Sequence, residues 1–334
     1  MTSAGRNWRK ARSSRASRTA HPRGSRATTT PPLEGHISDH ADHGFAVPRR
    51  RQRHPPEEDH EASQTTWVYE QPEPMATYLA TVQIGQYEAR TVSPAPPVPI
   101  VAVHPPRLRE SFDVDFARQP QMMEVFGRLF GPYPFAHYTA LVTDDDLEIP
   151  IEAQGLSIFG ANHCDGRRRE ERLVAHELAH QWFGNSLTLE RWRDIWLHEG
   201  FACYAEWLWA ENSGGRSAHV LAAEAHRGLA RKPQDIVLGD PGPKDMFDDR
   251  IYKRGALTLH ALRRHLGDDR FFTLLRTWTA EHRHSNVTTE QFTGLAARFT
   301  DTSLRPLWDA WLHEPALPAL PPLIVRVASG AMAT

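Results

Sequence analysis

The segment HELAH at residues 176–180 decides the fold of this chain, and Glu199 follows it after eighteen intervening residues. Two histidines four positions apart lie on one face of a helix, so the imidazoles of His176 and His180 can bind the same metal ion. Residues 199–211 have the apolar periodicity of a second helix, whose first turn would bring Glu199 to the first helix. Three protein ligands leave one position open for water, which is typical of a catalytic Zn2+ site with one ion per chain.

Glu177 lies between the two histidines and is expected to project beside the metal toward the bound water. A carboxylate in that place can take a proton from the water, and zinc makes the water acidic enough for hydrolysis near neutral pH. In the alternative interpretation, His176 and His180 are polar residues on an amphipathic helix and Glu199 is a surface carboxylate. The matched spacing of the third ligand favours the metal site.

The composition of the chain narrows its class. Of its 334 residues, 40% are hydrophobic, which is enough for a sizeable core. The net charge of -2 gives no overall attraction to nucleic acid or to membranes. Two cysteines, Cys164 and Cys203, are too few for a disulfide framework, and no apolar run reaches the roughly 18 residues of a membrane span. We therefore expect a cytoplasmic protein with no membrane span and no specific nucleic-acid partner.

The sequence texture changes along the chain. Residues 1–65 combine a basic start rich in Ser, Thr and Pro with mixed charges and few large apolar residues, so we expect them to be disordered. A basic arm that binds nucleic acid is the alternative, which no fold signature supports. Strand-like runs follow within residues 66–103, at 78–84, 87–92 and 98–103, and they are too few to form a domain alone.

Beyond residue 104 the patterns alternate between helix and strand and then become helical. We predict a helix at 119–130, strands at 138–143 and 155–159, a metal helix from about Asp165 to Gly184, and further helices at 199–211, 217–231, 252–266, 269–282, 288–299 and 303–313. This order predicts an α+β catalytic domain over residues 104–318, with a mostly helical C-terminal half and a tail at 319–334.

Several motifs together resemble the gluzincin zinc aminopeptidases, the family that includes aminopeptidase N. HELAH with Glu199 matches the family's zinc signature, WLHEGFA at 196–202 resembles its WLNEGFA, and YKRG at 252–255 resembles its YEKG. The run GPYPF at 131–135 also falls where the family has a similar one. The resemblance covers about residues 67–316 and implies a thermolysin-like zinc metallopeptidase domain acting on peptide substrates.

The resemblance also implies roles for individual residues. Tyr252 would donate a hydrogen bond to the developing oxyanion as a catalytic residue, and Glu152 would bind the free amine of the substrate. Glu152 stands in register in IPIEA, at 149–153, where the family has GAMEN. Residues 155–159 would be the edge strand along which the peptide aligns. Asp194 is expected either to accept a hydrogen bond from a ligand histidine or to cap a helix.

In the family a full β domain precedes the catalytic one, so the strands within 66–103 are expected to be a remnant of that domain. The abrupt change of texture near Thr66 suggests a truncated or mis-started gene product. The main hypothesis is a zinc-dependent aminopeptidase that removes N-terminal residues from peptides. The alternatives are a catalytically weak or inactive zinc-binding remnant and an endopeptidase of the thermolysin type.

Overall fold

The computed structural model describes residues 71–93 and 98–321, and the backbone of two further strands, β1 (Leu33–Ser38) and β2 (Gln64–Tyr69). These two strands pair antiparallel. The expected disorder of residues 1–65 is therefore wrong for residues 33–38 and 64–65, because the β-prone run at 64–69 provides a backbone partner for the first strand. The rest of 1–65 and residues 322–334 of the predicted tail lie outside the described residues.

A five-stranded mixed sheet forms the N-terminal part of the catalytic fold. It consists of β3 (Glu88–Ser93), β4 (Ile100–His104), β5 (Tyr138–Val142), β6 (Ile151–Ala153) and β7 (Leu156–Phe159). The spatial order is β3-β4-β5-β7-β6, with β4, β5 and β7 parallel and the two outer strands antiparallel to their neighbours. Every residue of the central strand β5 is buried, because apolar clusters cover both faces of the sheet.

The predicted boundary between the remnant strands, 66–103, and the catalytic domain, 104–318, is wrong. It cuts through β4, whose backbone pairs in parallel with β5, and β3 pairs with β4 in turn. Both strands therefore belong to the catalytic sheet. The strand predicted at 78–84 is also absent from the described residues: Thr77–Leu79 form a short 3-10 turn that buries Leu79, while Val82 is 58% exposed without a partner strand.

Helices dominate the chain after β7, which confirms the α+β class and the helical C-terminal half. In chain order the helices are α1 (Arg109–Asp115), α2 (Gln119–Phe130), α3 (Glu171–Ala179), α4 (Trp196–Asn212), α5 (Ala218–Leu229), α6 (Gly242–Asp245), α7 (Asp249–Leu266), α8 (Asp268–Glu281), α9 (Thr289–Ala296) and α10 (Arg305–Trp308), which continues into the wider turn Asp309–His313. None of the helices in this described part is long and apolar enough to cross a membrane.

Helix α4 lies at the centre of the helical half and is buried along almost its whole length. It packs most extensively against α7. At their closest point the two backbones touch through Gly200 and Gly255: a Cβ added to Gly255 would lie 2.7 Å from the Gly200 Cα. Only glycine at both positions allows this approach, which brings the first turns of α4 and α7 together beside α3.

Candidate metal centre

The helix that carries HELAH is shorter than the sequence predicts. It begins at Glu171 rather than near Asp165, because the intervening loop has positive φ at Gly166 (74°) and Arg168 (55°). The Asp115 carboxylate accepts hydrogen bonds from both amides, at 2.7 and 2.5 Å, and so fixes this non-helical conformation. The helix ends at Ala179, and the chain then turns toward α4.

The three predicted ligands meet in one buried cluster. The Nε2 atoms of His176 and His180 lie 3.5 and 3.4 Å from the same Glu199 carboxylate oxygen. The two imidazole rings are 4.8 Å apart and nearly perpendicular, and the three ligand atoms all lie within 4.8 Å of one another. Within the described residues this is the one group of three or more metal-ligating side chains with such geometry.

A second set of hydrogen bonds orients the two imidazoles. The Glu206 carboxylate contacts His176 Nδ1 at 2.7 Å, and the Phe183 carbonyl oxygen contacts His180 Nδ1 at 3.0 Å. Because carbonyl and carboxylate oxygens only accept, each Nδ1 carries a proton, which leaves Nε2 as the atom that can bind a metal when the imidazole is neutral. Arg172 in turn donates to both oxygens of Glu206, at 3.3 Å.

Asp194 has neither of the two roles expected for it. Its carboxylate accepts a hydrogen bond from the Thr289 hydroxyl at 2.6 Å, and α4 has no side-chain cap. The residue that orients a ligand histidine is instead Glu206, two turns along α4 from Glu199. Its position in the same apolar period as Glu199 is the sequence signal that could have identified it.

Opposite charges compensate each other among the ligands and the residues that contact them. Burial would raise the pKa of Glu206, but the cations of Lys253 and Arg172, together with His176, lower it to about 2. Burial likewise lowers the pKa of His176, and the hydrogen bonds with Glu199 and Glu206 reverse that effect and raise the pKa to about 10. The same carboxylates that hold a proton on His176 would attract a divalent cation in its place.

Glu177 is the buried carboxylate beside these ligands. Burial raises its pKa to about 7; the nearby carboxylates of Glu152 and Glu199 add to this rise, and the two histidines oppose it. Its Oε2 atom is buried and has no hydrogen-bond partner among the described residues. A buried carboxylate oxygen without a partner could accept a proton from a water molecule held at the metal.

Tyr252 is brought to the cluster by α7, in the first turn of that helix. Its ring stacks on His176 with the centroids 6.1 Å apart and the planes 23° from parallel, and it is 5% exposed. The Gly200–Gly255 contact lies one turn along the same face of α7 and sets this approach. The motifs WLHEGFA and YKRG therefore meet at this helix crossing.

Glu152 enters from the sheet. It is 6% exposed, lies in the middle of β6, and is close enough to Glu177 and His180 to influence the pKa of each. The strand β6 is the edge of the sheet, whereas β7 lies between β5 and β6. The expectation that residues 155–159 form the edge strand is therefore wrong, because the chain folds back before β7 and places Ile151–Ala153 outside it.

The donor set of two imidazole nitrogens and one carboxylate oxygen fits a zinc ion with one open position. The buried Glu177 oxygen near these ligands, which has no hydrogen-bond partner in the described part of the chain, agrees with a catalytic rather than a structural site.

Comparison with known proteins agrees with this geometry. Residues 115–311, more than half of the chain, match the peptidase family M1 domain. This chain belongs to peptidase family M1. It is 26% identical to aminopeptidase N of Lactococcus lactis subsp. lactis in an alignment of 278 positions that covers 76% of this chain and 32% of the relative. It is 23% identical to glutamyl aminopeptidase of Bos taurus, covering 79% of this chain and 30% of that protein.

Solved structures show the same fold. The M1 zinc metallopeptidase from Deinococcus radiodurans superposes with a TM-score of 0.71 at 28% identity, over 88% of this chain and 64% of that one. Leukotriene A4 hydrolase from Saccharomyces cerevisiae, 22% identical, shares the fold with a TM-score of 0.67 over 78% of this chain and 44% of that one. This M1 chain spans about a third of the length of the curated relatives that it matches.

Proposed function

We propose that this M1 family member is a zinc-dependent aminopeptidase that hydrolyses the N-terminal peptide bond of peptides. The observation that carries the proposal is the convergence of five buried side chains: His176, Glu177 and His180 from α3 and its C-terminal end, Glu199 from α4 and Glu152 from the edge strand. Aminopeptidase relatives in several organisms and M1 zinc metallopeptidase structures support it.

The ligands His176, His180 and Glu199 would hold the zinc ion, which supplies Lewis acidity toward the peptide carbonyl and acidifies water. Glu177 would accept a proton from the attacking water and return it to the leaving amine. A pKa near 7 suits both tasks, and a bound cation would lower it toward the base form. The Tyr252 hydroxyl, on the side of His176, would donate a hydrogen bond to the oxygen of the reacting carbonyl.

Glu152 would bind the protonated amine of the substrate. A buried carboxylate close to the catalytic base gives an ammonium group a charge partner one residue from the scissile bond, and an acylated substrate would lack the positive charge that this carboxylate attracts. The proposal therefore predicts exopeptidase rather than endopeptidase specificity. The edge position of β6 leaves a backbone edge for an extended peptide.

We place this peptide-degrading activity in the cytoplasm. Both cysteines, Cys164 and Cys203, are free and buried, and burial raises the pKa of each thiol to about 12. Two unreactive thiols without a disulfide are typical of a reducing compartment.

The test is hydrolysis of chromogenic aminoacyl substrates by the purified full chain, with zinc and with a chelator. Glu177→Gln should lower kcat by about 10²–10⁴-fold while one zinc per chain stays bound, and Glu124→Gln, an exposed Glu on α2, should leave kcat unchanged. Equal cleavage of N-acetylated peptides would indicate a thermolysin-type endopeptidase. Failure of folded, zinc-loaded protein to cleave either class would indicate an inactive remnant.

A further inference from the structure

The hairpin that carries Glu152 is attached at two points to the chain around the metal ligands, one in α3 and one just after its end. The Ser157 hydroxyl, on the strand opposite Glu152, donates to the Glu177 carbonyl oxygen at 3.2 Å. Four positions farther along the chain, the Gln181 side chain donates to the Ala153 carbonyl oxygen at 3.1 Å. It also accepts from the Gly155 amide at 2.8 Å.

The side-chain amide of Gln181 donates one hydrogen bond to this hairpin and accepts one from it, as a backbone peptide group would. Gln181 is fully buried, and its one amide supplies both the donor that Ala153 needs and the acceptor that Gly155 needs. The strand β6 is only three residues long and lies at the edge of the sheet, so few ladder bonds hold it in place. Asn185 gives Ala153 a second donor at 3.0 Å, so this bond and the Ser157–Glu177 bond both remain when Gln181 is replaced.

We propose that Gln181 is a positioning residue for substrate binding. Gln181 follows His180 in the chain and holds the turn of the hairpin through Ala153 and Gly155. It thereby sets the distance between Glu152 and the metal-binding group. The amine of the substrate is then held where its first peptide bond reaches Glu177. This inference rests on the proposed aminopeptidase function, and it assigns to Gln181 no contact with substrate or metal.

The variant Gln181→Met has a similar shape and removes both hydrogen bonds. Because Glu152 would then be held less firmly, we expect KM for free-amine substrates to rise about tenfold, or more if the displacement approaches 1 Å. The zinc content should stay at one per chain, because the Gln181 side chain bonds to Ala153 and Gly155 rather than to a metal ligand. The matched control is Gln119→Met, a buried glutamine on α2 whose Nε2 has no hydrogen-bond partner in the described part of the chain; its KM should equal that of the wild type.

The variant Gln181→Glu provides a conservative rescue. Its carboxylate can accept from Gly155 but cannot donate to Ala153 until it is protonated. Measured relative to the wild type at each pH, KM of this variant should fall toward the wild-type value as pH decreases, whereas the KM ratio of Gln181→Met should stay constant. A purely structural defect would lower the amount of folded protein and kcat in both variants without this dependence of KM on pH.

Hydrogen exchange at the Gly155 amide measures its hydrogen bond with Gln181 without any activity measurement. Gln181→Met should raise the exchange rate of this amide about tenfold or more, and Gln119→Met should not. Unchanged exchange at Gly155, or an unchanged KM in folded Gln181→Met, would overturn the inference. A wild-type protein that exchanges slowly at Gly155 but cleaves no aminoacyl substrate would instead refute the proposed function and, with it, the role in substrate binding.

Discussion

The contact between Gly200 and Gly255 should control both the stability and the activity of this protein. A Cβ on residue 255 would lie 2.7 Å from Gly200 Cα, 3.4 Å from Gly200 N and 3.5 Å from the Trp196 carbonyl oxygen, whereas ordinary contacts lie at 3.4–4 Å. All three are backbone atoms, so no side-chain rotation can relieve the overlap. In Gly255→Ala, α4 and α7 must therefore separate by about 1 Å.

That separation should lower both the unfolding free energy and kcat/KM. Overpacking of a well-packed core costs about 1–3 kcal/mol of unfolding free energy, which lowers the melting temperature by about 2–12 °C for a domain of this size. Tyr252 lies one turn before Gly255 on the face of α7 that approaches His176. A displacement of about 1 Å at this ring should lower kcat/KM of the zinc-loaded enzyme by about 10²-fold.

The assay compares thermal unfolding, zinc content and aminoacyl substrate hydrolysis for Gly255→Ala and for Gly228→Ala. Gly228 lies near the exposed end of α5, and a Cβ there would meet no atom within 4 Å. The control should be stabilised by about 0.5–1 kcal/mol, because alanine restricts the unfolded chain more than glycine does. If Gly255→Ala matches Gly228→Ala in melting temperature and activity, the close approach of the two helices does not position Tyr252.

Three further predictions concern the metal shell and the buried polar network. Glu206→Gln should weaken zinc binding by about 10–100-fold, because the acceptor for His176 Nδ1–H is weakened; chelator competition measures this, and Asp194→Asn should bind zinc as the wild type does. Arg254→Met should cost about 3 kcal/mol of unfolding free energy in urea titrations, because the buried guanidinium donates to five backbone carbonyls in the segment 310–316; full stability of this variant would show that water satisfies those carbonyls. Burial beside Arg263 and other cations lowers the pKa of His260 from 6.5 to about 3. As pH falls, the unfolded chain therefore binds a proton at His260 before the folded chain does. The contribution of His260 to the unfolding free energy is complete above pH 6.5 and decreases below it. This group should account for about 2 kcal/mol lost between about pH 7 and about pH 5, a loss that the pH profile of His260→Gln should lack.

The cluster of His176, His180 and Glu199 was predictable from the sequence because its geometry is largely local. Within one helix, a spacing of four fixes the relative direction of His176 and His180 whatever surrounds them. To place Glu199 with them, it was enough to assume in addition that the next helix starts close to the first. The α+β class followed in the same way from the order of strand and helix patterns, each of which is a local signal.

Strand edges and domain boundaries depend on pairing between distant segments. The sequence of β4 does not show that its partner is β5, more than thirty residues away, so the predicted boundary at 103–104 fell inside the sheet. The edge position of β6 depends in the same way on how the chain returns after Ala153. No periodicity within either strand carries this information.

By itself, the sequence determined that His176 and His180 lie together as possible metal ligands, because helical spacing is a property of the backbone alone. Only the tertiary structure decided which groups support them. Glu206 rather than Asp194 orients His176, and Gln181 ties the strand of Glu152 to the metal helix, because both contacts join elements whose relative placement results from packing of the whole core.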